Sequence, residues 1–237
     1  LGRALKDRMH VIVDTDYFAP QPSDTLEILA GNTNPRVDFE HDNKDESKAV
    51  IARHNELVAR DVPLEKLILA GYLTHGLDYC NNGDSKRKMK DRWPGAIASH
   101  SKGSDEALIL PLSTRAAKST IRLSQALDSI IQDKVKDVEV NPMESMLQAY
   151  KFVAAYSGVL NEAAVDANYD GDKYKALEAV MQLTQTQVQQ QEDNIRAGFE
   201  MARSGKTDNK VLDKFSGRWA FMKDILTHLA QDSKNGN

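Results

Sequence analysis

Cysteine, aromatic residues and long apolar runs are scarce in this sequence. Cys80 is the single cysteine of 237 residues, which excludes an intrachain disulfide and any metal cluster built from several cysteines. No stretch approaches the ~20 apolar residues that a bilayer-spanning helix requires, and the first residues lack the apolar core of a signal peptide. We therefore expect a chain with no membrane partner, at home in a reducing cytoplasm.

A large excess of one charge is also missing. The formal net charge is −4, which argues against binding of nucleic acid or anionic membrane over the whole surface but still allows a local basic patch. Hydrophobic residues make up 41% of the chain and aromatic residues only 6%, so the core must be mainly aliphatic. This composition favours a mainly α fold built as a helical bundle.

A phosphate-binding loop is absent from the sequence. Such a loop reads G-x-x-x-x-G-K-[ST] between a strand and a helix, because successive backbone N–H groups must surround the phosphates. The nearest match ends in Gly205, Lys206 and Thr207, but Glu200 occupies the leading glycine position and a polar helix precedes it. We interpret this segment as a helix C-cap followed by a turn.

The start of the chain carries a short α/β pattern. Residues 1–9 are predicted to form a basic helix, and residues 10–14 are an apolar, β-branched run typical of a strand. Ser23 is the expected N-cap of a helix that stops at Gly31. This order predicts a short α/β segment in front of a helical bundle.

Helical periodicity dominates the rest of the chain. The spacing of apolar residues predicts helices over residues 47–60 and 64–80. The first of these is expected to bury Val50, Ile51, Leu57 and Val58. A long helix over residues 174–203 and a final helix over 211–229 should pack antiparallel, since the turn between them is short.

Two arginines lie at the boundaries of predicted elements. Arg8 directly precedes the apolar run at residues 10–14. Arg115 follows Ser113 at the start of an amphipathic helix predicted to reach Ile131. A guanidinium is always charged and presents a rigid fork of donors, so it can neutralise charge on a transferring phosphoryl group in its own or a neighbouring subunit.

The sequence around both arginines resembles the C-terminal part of a MoxR-type AAA+ ATPase, a group that includes the cobaltochelatase ATPase subunit. In that family Ser-Pro-Arg-Ala opens a lid helix, and here Thr114 replaces the proline before Arg115. The helix that follows Asn141, Pro142, Met143 and Glu144 is similar to the last lid helix of the family. The resemblance covers roughly the first two thirds of the chain.

This resemblance implies a nucleotide hydrolase. Arg8 would be the catalytic arginine finger that enters the ATP site of a neighbouring subunit, and Arg115 would bind the γ-phosphate within its own subunit. ATP and Mg²⁺ would be cofactors of the full-length protein, and neither would be bound by this chain alone. The chain would therefore be inactive as an ATPase without the missing phosphate-binding loop.

The resemblance also implies a domain plan and partners. Residues 1–31 would be the edge of the ATPase core, 32–165 the helical lid with an insertion at 81–105, and 166–237 a helical hairpin extension with no family role. The chain would then begin at a fragment boundary, with the nucleotide pocket upstream. Implied partners are copies of the same subunit in a ring, usually a hexamer, and a remodelled client protein, often one with a von Willebrand A domain.

A basic segment supports a different interpretation. Basic side chains beside an aromatic ring suit a phosphate backbone or another anionic partner. The candidate partner-binding residues are Lys86, Arg87, Lys88, Lys90, Arg92 and Trp93. The alternative function is therefore a non-enzymatic helical adaptor that binds an anionic partner, with nucleic acid allowed but not favoured.

Acidic residues leave three weaker alternatives. Asp14 and Asp16 follow the predicted strand as in some nucleases and phosphatases, although a lone D-x-D is a weak motif. Residues 38–46 hold several carboxylates, but no regular element enforces a ligand spacing, so we predict a solvated loop and no metal. Residues 166–172 resemble the opening of a calcium loop, but its twelfth position is Leu177, so we expect a turn between two helices.

Overall fold

Helices account for nearly all regular structure in the computed structural model, which describes residues 3–6, 8–15, 20–31, 45–80, 85–86, 105–135 and 139–235. Within these ranges, β structure is limited to two isolated antiparallel bridges, Tyr79 with Ser85 and Ile109 with Leu160. The predicted mainly α fold is confirmed. The strand predicted over residues 10–14 is not formed, because no strand lies beside these residues in the described part of the chain to complete a ladder.

Eleven α-helices occur in the described ranges. They are α1 (Arg3–Lys6), α2 (Pro22–Ala30), α3 (Ser47–Ala59), α4 (Leu64–Thr74), α5 (Asp105–Leu108), α6 (Thr114–Lys134), α7 (Pro142–Ala154), α8 (Glu162–Tyr169), α9 (Lys173–Arg203), α10 (Asn209–Leu212) and α11 (Phe221–Asn235). Short 3₁₀ turns follow α4 at Gly76–Asp78 and precede α11 at Gly217–Trp219.

The chain divides into two compact units. The larger unit joins residues 1–12 to residues 62–237, and the smaller unit is residues 13–61. Neither predicted domain boundary, after residue 31 or after residue 165, coincides with a boundary between these units. Within the larger unit α8 packs against α9, so the helices after residue 165 belong to the same unit as α6 and α7.

The core of the larger unit lies where α6 and α7 pack together and α4 contacts both. Buried side chains at their contacts include Leu73, Leu112, Met146, Leu147 and Tyr150. The helix α9 is about 46 Å long at ~1.5 Å per residue. Near its start Glu178 pairs with Lys151 of α7, and near its end Gly198 lies against Leu226 of α11. The helical bundle therefore extends beyond the predicted lid.

The single C-terminal helix predicted over residues 211–229 is wrong. The short helix α10 ends at Leu212, and α11 begins only at Phe221. Between them Gly217 has φ +57°, a left-handed conformation that a continuous α-helix excludes. A Cβ at this position would lie 3.6 Å from the Tyr79 ring, an ordinary van der Waals distance, so the backbone conformation alone favours glycine here.

The smaller unit differs from its prediction in two respects. The N-cap of α2 is Gln21 and not Ser23, because Pro22 lacks an N–H and is well suited to the first helical turn. Neither α2 nor α3 has a buried residue, so the prediction that α3 buries its apolar stripe is wrong: Val50 is 66% exposed and Ile51 59%.

Candidate functional site

The start of α6 has the capping that its sequence predicts. Ser113 is the N-cap, with φ −70° and ψ 157°, and its side chain accepts a hydrogen bond of 3.1 Å from the backbone N–H of Ala116. Arg115 is therefore the second residue of a helix of 21 residues, and its side chain is exposed. The predicted helix start is confirmed.

The first turn of α6 is electropositive. It contains no acidic residue, while Arg115 and Lys118 are both exposed and lie three residues apart on one helix face. The unpaired N–H groups and the dipole of a long helix add positive potential at this end. Such a helix start can receive an anion, and phosphate oxygens are suitable acceptors.

A contact between His10 and Ser119, which are 109 positions apart in sequence, brings the start of the chain to this helix. His10 Nδ1 lies 2.6 Å from the Oγ of Ser119, which is one turn after Arg115 in α6. Arg8, two residues before His10, is exposed in a turn whose backbone N–H donates to Leu5 O at 3.0 Å. We use the name α6 basic cluster for Arg115 and Lys118 in the first turn of α6, together with Arg8, which lies two residues before the contact at His10. The sequence did not predict the contact between His10 and Ser119, because neither residue belongs to a motif.

The prediction that Lys86 belongs to an exposed partner-binding surface is wrong. Its side chain is fully buried, and Nζ donates to the carbonyl oxygens of Asp105 at 3.1 Å and Ile109 at 3.0 Å. The other predicted members of that surface lie outside the described residues: Arg87, Lys88, Lys90, Arg92 and Trp93.

Lys86 is part of a buried ionic cluster that also contains Asp105, Glu106 and Arg218. The Arg218 guanidinium donates to both carboxylate oxygens of Asp105, one of them at 2.8 Å, and lies 3.4 Å from Glu106 Oε1. The ring of Tyr79 lies beneath the guanidinium, with its centroid 5.8 Å from Cζ. Two cations thus face two carboxylates, so the cluster balances its own formal charge.

Burial changes the titration of groups in and beside this cluster. It lowers the pKa of Lys86 to about 8, although the nearby Asp105 carboxylate opposes the change. Burial also raises the pKa of Tyr72 to about 12. Burial would lower the pKa of Arg218, but hydrogen bonds to Asp105 and its charge raise that pKa above its usual range. The pKa of Lys86 therefore lies nearer to neutral pH than that of a solvated lysine, but its Nζ is fully buried against two carbonyl oxygens, so we assign the cluster a structural role.

A second buried cation joins α4 to α6. Lys66 Nζ is fully buried and donates to Ser124 Oγ at 2.9 Å and to Asp128 Oδ2 at 2.5 Å. A serine–lysine pair can act as nucleophile and base only if the lysine is neutral and the serine is accessible. Lys66 Nζ already donates to Asp128, and Ser124 is fully buried, so this group is a structural link.

Two predicted turns are confirmed. The helix α9 ends at Arg203 and is followed by Gly205 at φ +66°, as expected for a C-cap rather than a phosphate-binding loop. Between α8 and α9, Asp170 has φ 54°, and the Asp172 carboxylate accepts hydrogen bonds of 2.9 and 3.0 Å from two backbone N–H groups of α9. That carboxylate serves as a helix cap.

A groove of about 520 Å³ lies between α4, the start of α7 and the second half of α9. Apolar side chains in its lining include Ile68, Ile195 and Phe199, and the pair formed by Glu192 and Arg196 at 3.0 Å also borders it. Its volume is in the range of small-molecule sites. None of the predicted site residues lines this groove, so it is separate from the α6 basic cluster.

Comparison with protein families, curated proteins and solved structures finds no match for this chain. Among the described residues, no helix combines the length and apolar content needed to cross a bilayer. In that same part of the chain, no three His, Cys, Asp or Glu side chains are arranged to hold a metal ion. Asp16 and most of the acidic segment at residues 38–46 lie outside the described ranges. A functional assignment must therefore be argued from the site itself.

Proposed function

We propose that this chain is the lid and finger-bearing part of a MoxR-type AAA+ ATPase, which couples ATP hydrolysis to remodelling or activation of a partner protein. One observation carries the proposal. The contact between His10 and Ser119 at 2.6 Å brings the segment that contains Arg8 to the helix start that contains Arg115. An exposed arginine in the first turn of a long helix suits a phosphate oxygen, and a second arginine given to a neighbouring subunit is the kind of group that stabilises a transferring phosphoryl group.

The two arginines have different roles in this proposal. Arg115 would bind the γ-phosphate in its own subunit, because it lies in the electropositive first turn of α6. Arg8 is exposed in a turn near the start of the chain, so it is free to reach a phosphate held by a neighbouring subunit. ATP and Mg²⁺, held by a phosphate-binding loop of the full-length protein, would supply the phosphoryl group.

The partners follow from this assignment. In a closed ring of head-to-tail contacts, every subunit both gives an arginine to a neighbour and receives one, so no nucleotide site is left incomplete. We propose a hexamer and a client protein with a von Willebrand A domain, in the cytoplasm. The alternative adaptor function has weaker support, because Lys86 of its proposed binding surface is buried.

The test measures ATP hydrolysis by the full-length protein, in the wild type and in the Arg8→Ala and Arg115→Ala variants. We expect Arg8→Ala to lower kcat by about a thousandfold or more while nucleotide binding is kept, because an arginine finger acts mainly in the transition state. We expect Arg115→Ala to weaken both ATP binding and turnover. Light scattering on the same samples reports whether rings persist.

The matched control is Arg203→Ala, which removes an exposed arginine at the far end of α9. Its turnover should equal that of the wild type. Absence of ATPase activity in the full-length protein, or full activity in both the Arg8 and Arg115 variants, would overturn the proposal.

A further inference from the structure

We infer that the smaller unit is the binding site for a partner protein. The segment it receives is an amphipathic helix whose apolar face is bordered by lysine or arginine. We call the exposed aliphatic side chains of α2 and α3 the α2–α3 surface: Leu26, Ile28, Leu29, Val50, Ile51 and Val58. The unit covers residues 13–61, so it contains neither Arg8 nor Arg115. The inference therefore goes beyond the proposed function and does not depend on it.

The α2–α3 surface concentrates aliphatic side chains in contact with solvent. In α2, Leu26 is 68% exposed and Leu29 is 76% exposed, and the two lie three residues apart on one helix face. In α3, Val50 and Ile51 share a face with Val58, which follows Ile51 by seven residues. Single exposed aliphatic residues are ordinary on protein surfaces, but a group of them on neighbouring turns indicates an interaction site.

Both helices lack the packing that normally stabilises short helices. The helix α2 has 9 residues and α3 has 13, and neither has a buried residue. A helix below ~12–15 residues is marginal in water on its own, and most helical stability in proteins comes from packing of an apolar face. The start of α2 is fixed locally, because Gln21 N–H donates to the Asp24 carboxylate at 2.9 Å. A partner that covers the apolar face would supply the packing that these helices lack.

The charge of the smaller unit indicates the chemistry of its partner. Residues 13–61 contain eleven acidic and five basic residues, a net charge of −6, whereas the whole chain carries −4 and the remainder therefore +2. Arg53 and Arg60 are both bonded to Glu56, at 2.8 and 2.5 Å. No cation in the described part of the chain pairs with the carboxylates of Glu27 or Glu46. A partner helix with lysine or arginine beside its apolar face matches both the exposed aliphatic residues and the charge.

The same charge disfavours two other occupants of the surface. A second copy of the unit would bring another −6 to the contact, and like charges that face each other oppose association. An anionic membrane is repelled for the same reason, since amphipathic helices that lie on membranes are rich in lysine and arginine. The observations therefore favour a basic, amphipathic partner over both.

The first test measures binding of a designed peptide to this 237-residue chain. The probe is a leucine–lysine peptide of about 18 residues, or about five helical turns, with its leucines on one face. Its control has glutamate in place of lysine. We expect the lysine peptide to bind at least about tenfold more tightly than the control, and to bind more weakly at higher salt, because opposite charges attract it. Fluorescence anisotropy measures both quantities. Equal affinities, or no binding of the lysine peptide, would overturn the inference.

The second test locates the binding surface with variants matched for exposure. Leu29→Ser and Ile51→Ser remove exposed aliphatic side chains without a change of charge. We expect each to weaken binding of the lysine peptide about tenfold, the effect of losing one side chain that binding buries. Ile130→Ser removes an isoleucine that is 56% exposed on α6, in the larger unit, and should bind as the wild type does. Similar losses in all three variants, or in none, would contradict the assignment.

The third test concerns the carboxylates beside the apolar side chains. The double variant Glu27→Gln and Glu46→Gln keeps the shape of both side chains and removes two charges. It should weaken binding of the lysine peptide severalfold and reduce the salt dependence. The control Glu65→Gln changes an exposed glutamate of α4, in the larger unit, and should leave both quantities unchanged. Wild-type affinity and salt dependence in the double variant would show that the partner is not chosen by charge.

Hydrogen exchange measured by mass spectrometry separates binding at this surface from binding elsewhere. The lysine peptide should slow exchange of the amides of α2 and α3, because covered helices open less often, and leave α6 and α7 unchanged. Protection confined to the larger unit would overturn the inference. So would a dimer, seen by sedimentation velocity without peptide, that Leu29→Ser abolishes, because a second copy would then occupy the surface. These tests use no nucleotide, so their failure is distinguishable from failure of the proposed function.

Discussion

The buried ionic cluster and the α6 basic cluster place cationic side chains in opposite environments. In the first, Lys86 is fully buried and Arg218 has a side chain only 18% exposed, and both donate to oxygens of the same segment that begins at Asp105. In the second, Arg115 is exposed in the first turn of α6, which has no acidic residue, and Arg8 is exposed two residues before His10. Buried charges must be matched within the protein, whereas exposed charges are hydrated at little cost. The comparison therefore predicts that the first cluster controls stability and the second controls binding.

The largest expected effect is on stability, from removal of the Arg218 guanidinium. Arg218→Met should lower the free energy of unfolding by about 3–5 kcal/mol, because it leaves the Asp105 carboxylate buried without its bidentate partner. Urea unfolding followed by circular dichroism measures this loss. In the control Arg203→Met, the change should stay within about 0.5 kcal/mol. Equal losses in the two variants would contradict the comparison.

A smaller effect is expected on the pH dependence of stability, through Lys86. Its pKa is about 8 in the folded protein and near 10.5 when unfolded, so between these values the unfolded chain binds more protons. The contribution of Lys86 to the free energy of unfolding therefore rises with pH from about 8 to 10.5, by at most about 1.4 kcal/mol per pH unit.

The measurement for Lys86 is a comparison of urea unfolding at several pH values in the wild type and in Lys86→Met. The stability difference between them should change across pH 8–10.5, since the variant lacks the titrating ammonium. Lys134→Met removes an exposed lysine at the end of α6 and should run parallel to the wild type. Parallel profiles for Lys86→Met as well would show that this ammonium is not buried in solution.

A third prediction concerns Ser113, the N-cap of helix α6. Ser113→Ala removes the side chain that accepts from Ala116 N, which should lower the free energy of unfolding by about 1 kcal/mol. Ser113→Asp keeps an acceptor and should restore that stability, but its negative charge should weaken phosphate binding by the full-length protein. Calorimetry measures both quantities. Full phosphate affinity in Ser113→Asp would contradict an anion site at this helix start.

We expect the smallest change in stability from variants of the α6 basic cluster, which is the proposed binding surface. Arg115→Ala and Lys118→Ala should each change the free energy of unfolding by no more than about 0.5 kcal/mol, because both side chains are exposed on α6. Thermal unfolding of this chain tests that expectation. A decrease of several kcal/mol in the free energy of unfolding of either variant would show that its side chain stabilises the fold. The difference between the two clusters would then not hold.

Local chemistry made part of the fold predictable. Ser113 and Asn141 are capping residues at the starts of α6 and α7, and each accepts backbone N–H groups as its residue type and position predict. Gly205 ends α9 in the left-handed conformation that glycine adopts without strain. These features depend on neighbours within four residues, so the sequence displays them directly.

Burial was predicted poorly where it depends on distant residues. The basic neighbours of Lys86 predict a surface residue, but its partners are two carbonyl oxygens more than fifteen residues away. The apolar stripe of α3 was expected to be buried because of its spacing, yet Val50 and Ile51 are exposed. Periodicity identifies which face of a helix is apolar and says nothing about whether another element covers it.

The sequence by itself determined the helical class, the ends of the long helices and the position of Arg115 in the first turn of α6, because hydrophobic spacing and capping act over a few residues. Tertiary structure alone decided that Arg218 meets Asp105 and that His10 meets Ser119, contacts that join residues more than a hundred positions apart. Those pairings arise from the packing of whole helices, and the free energy of burying a charge or a hydroxyl depends on the partner that packing supplies.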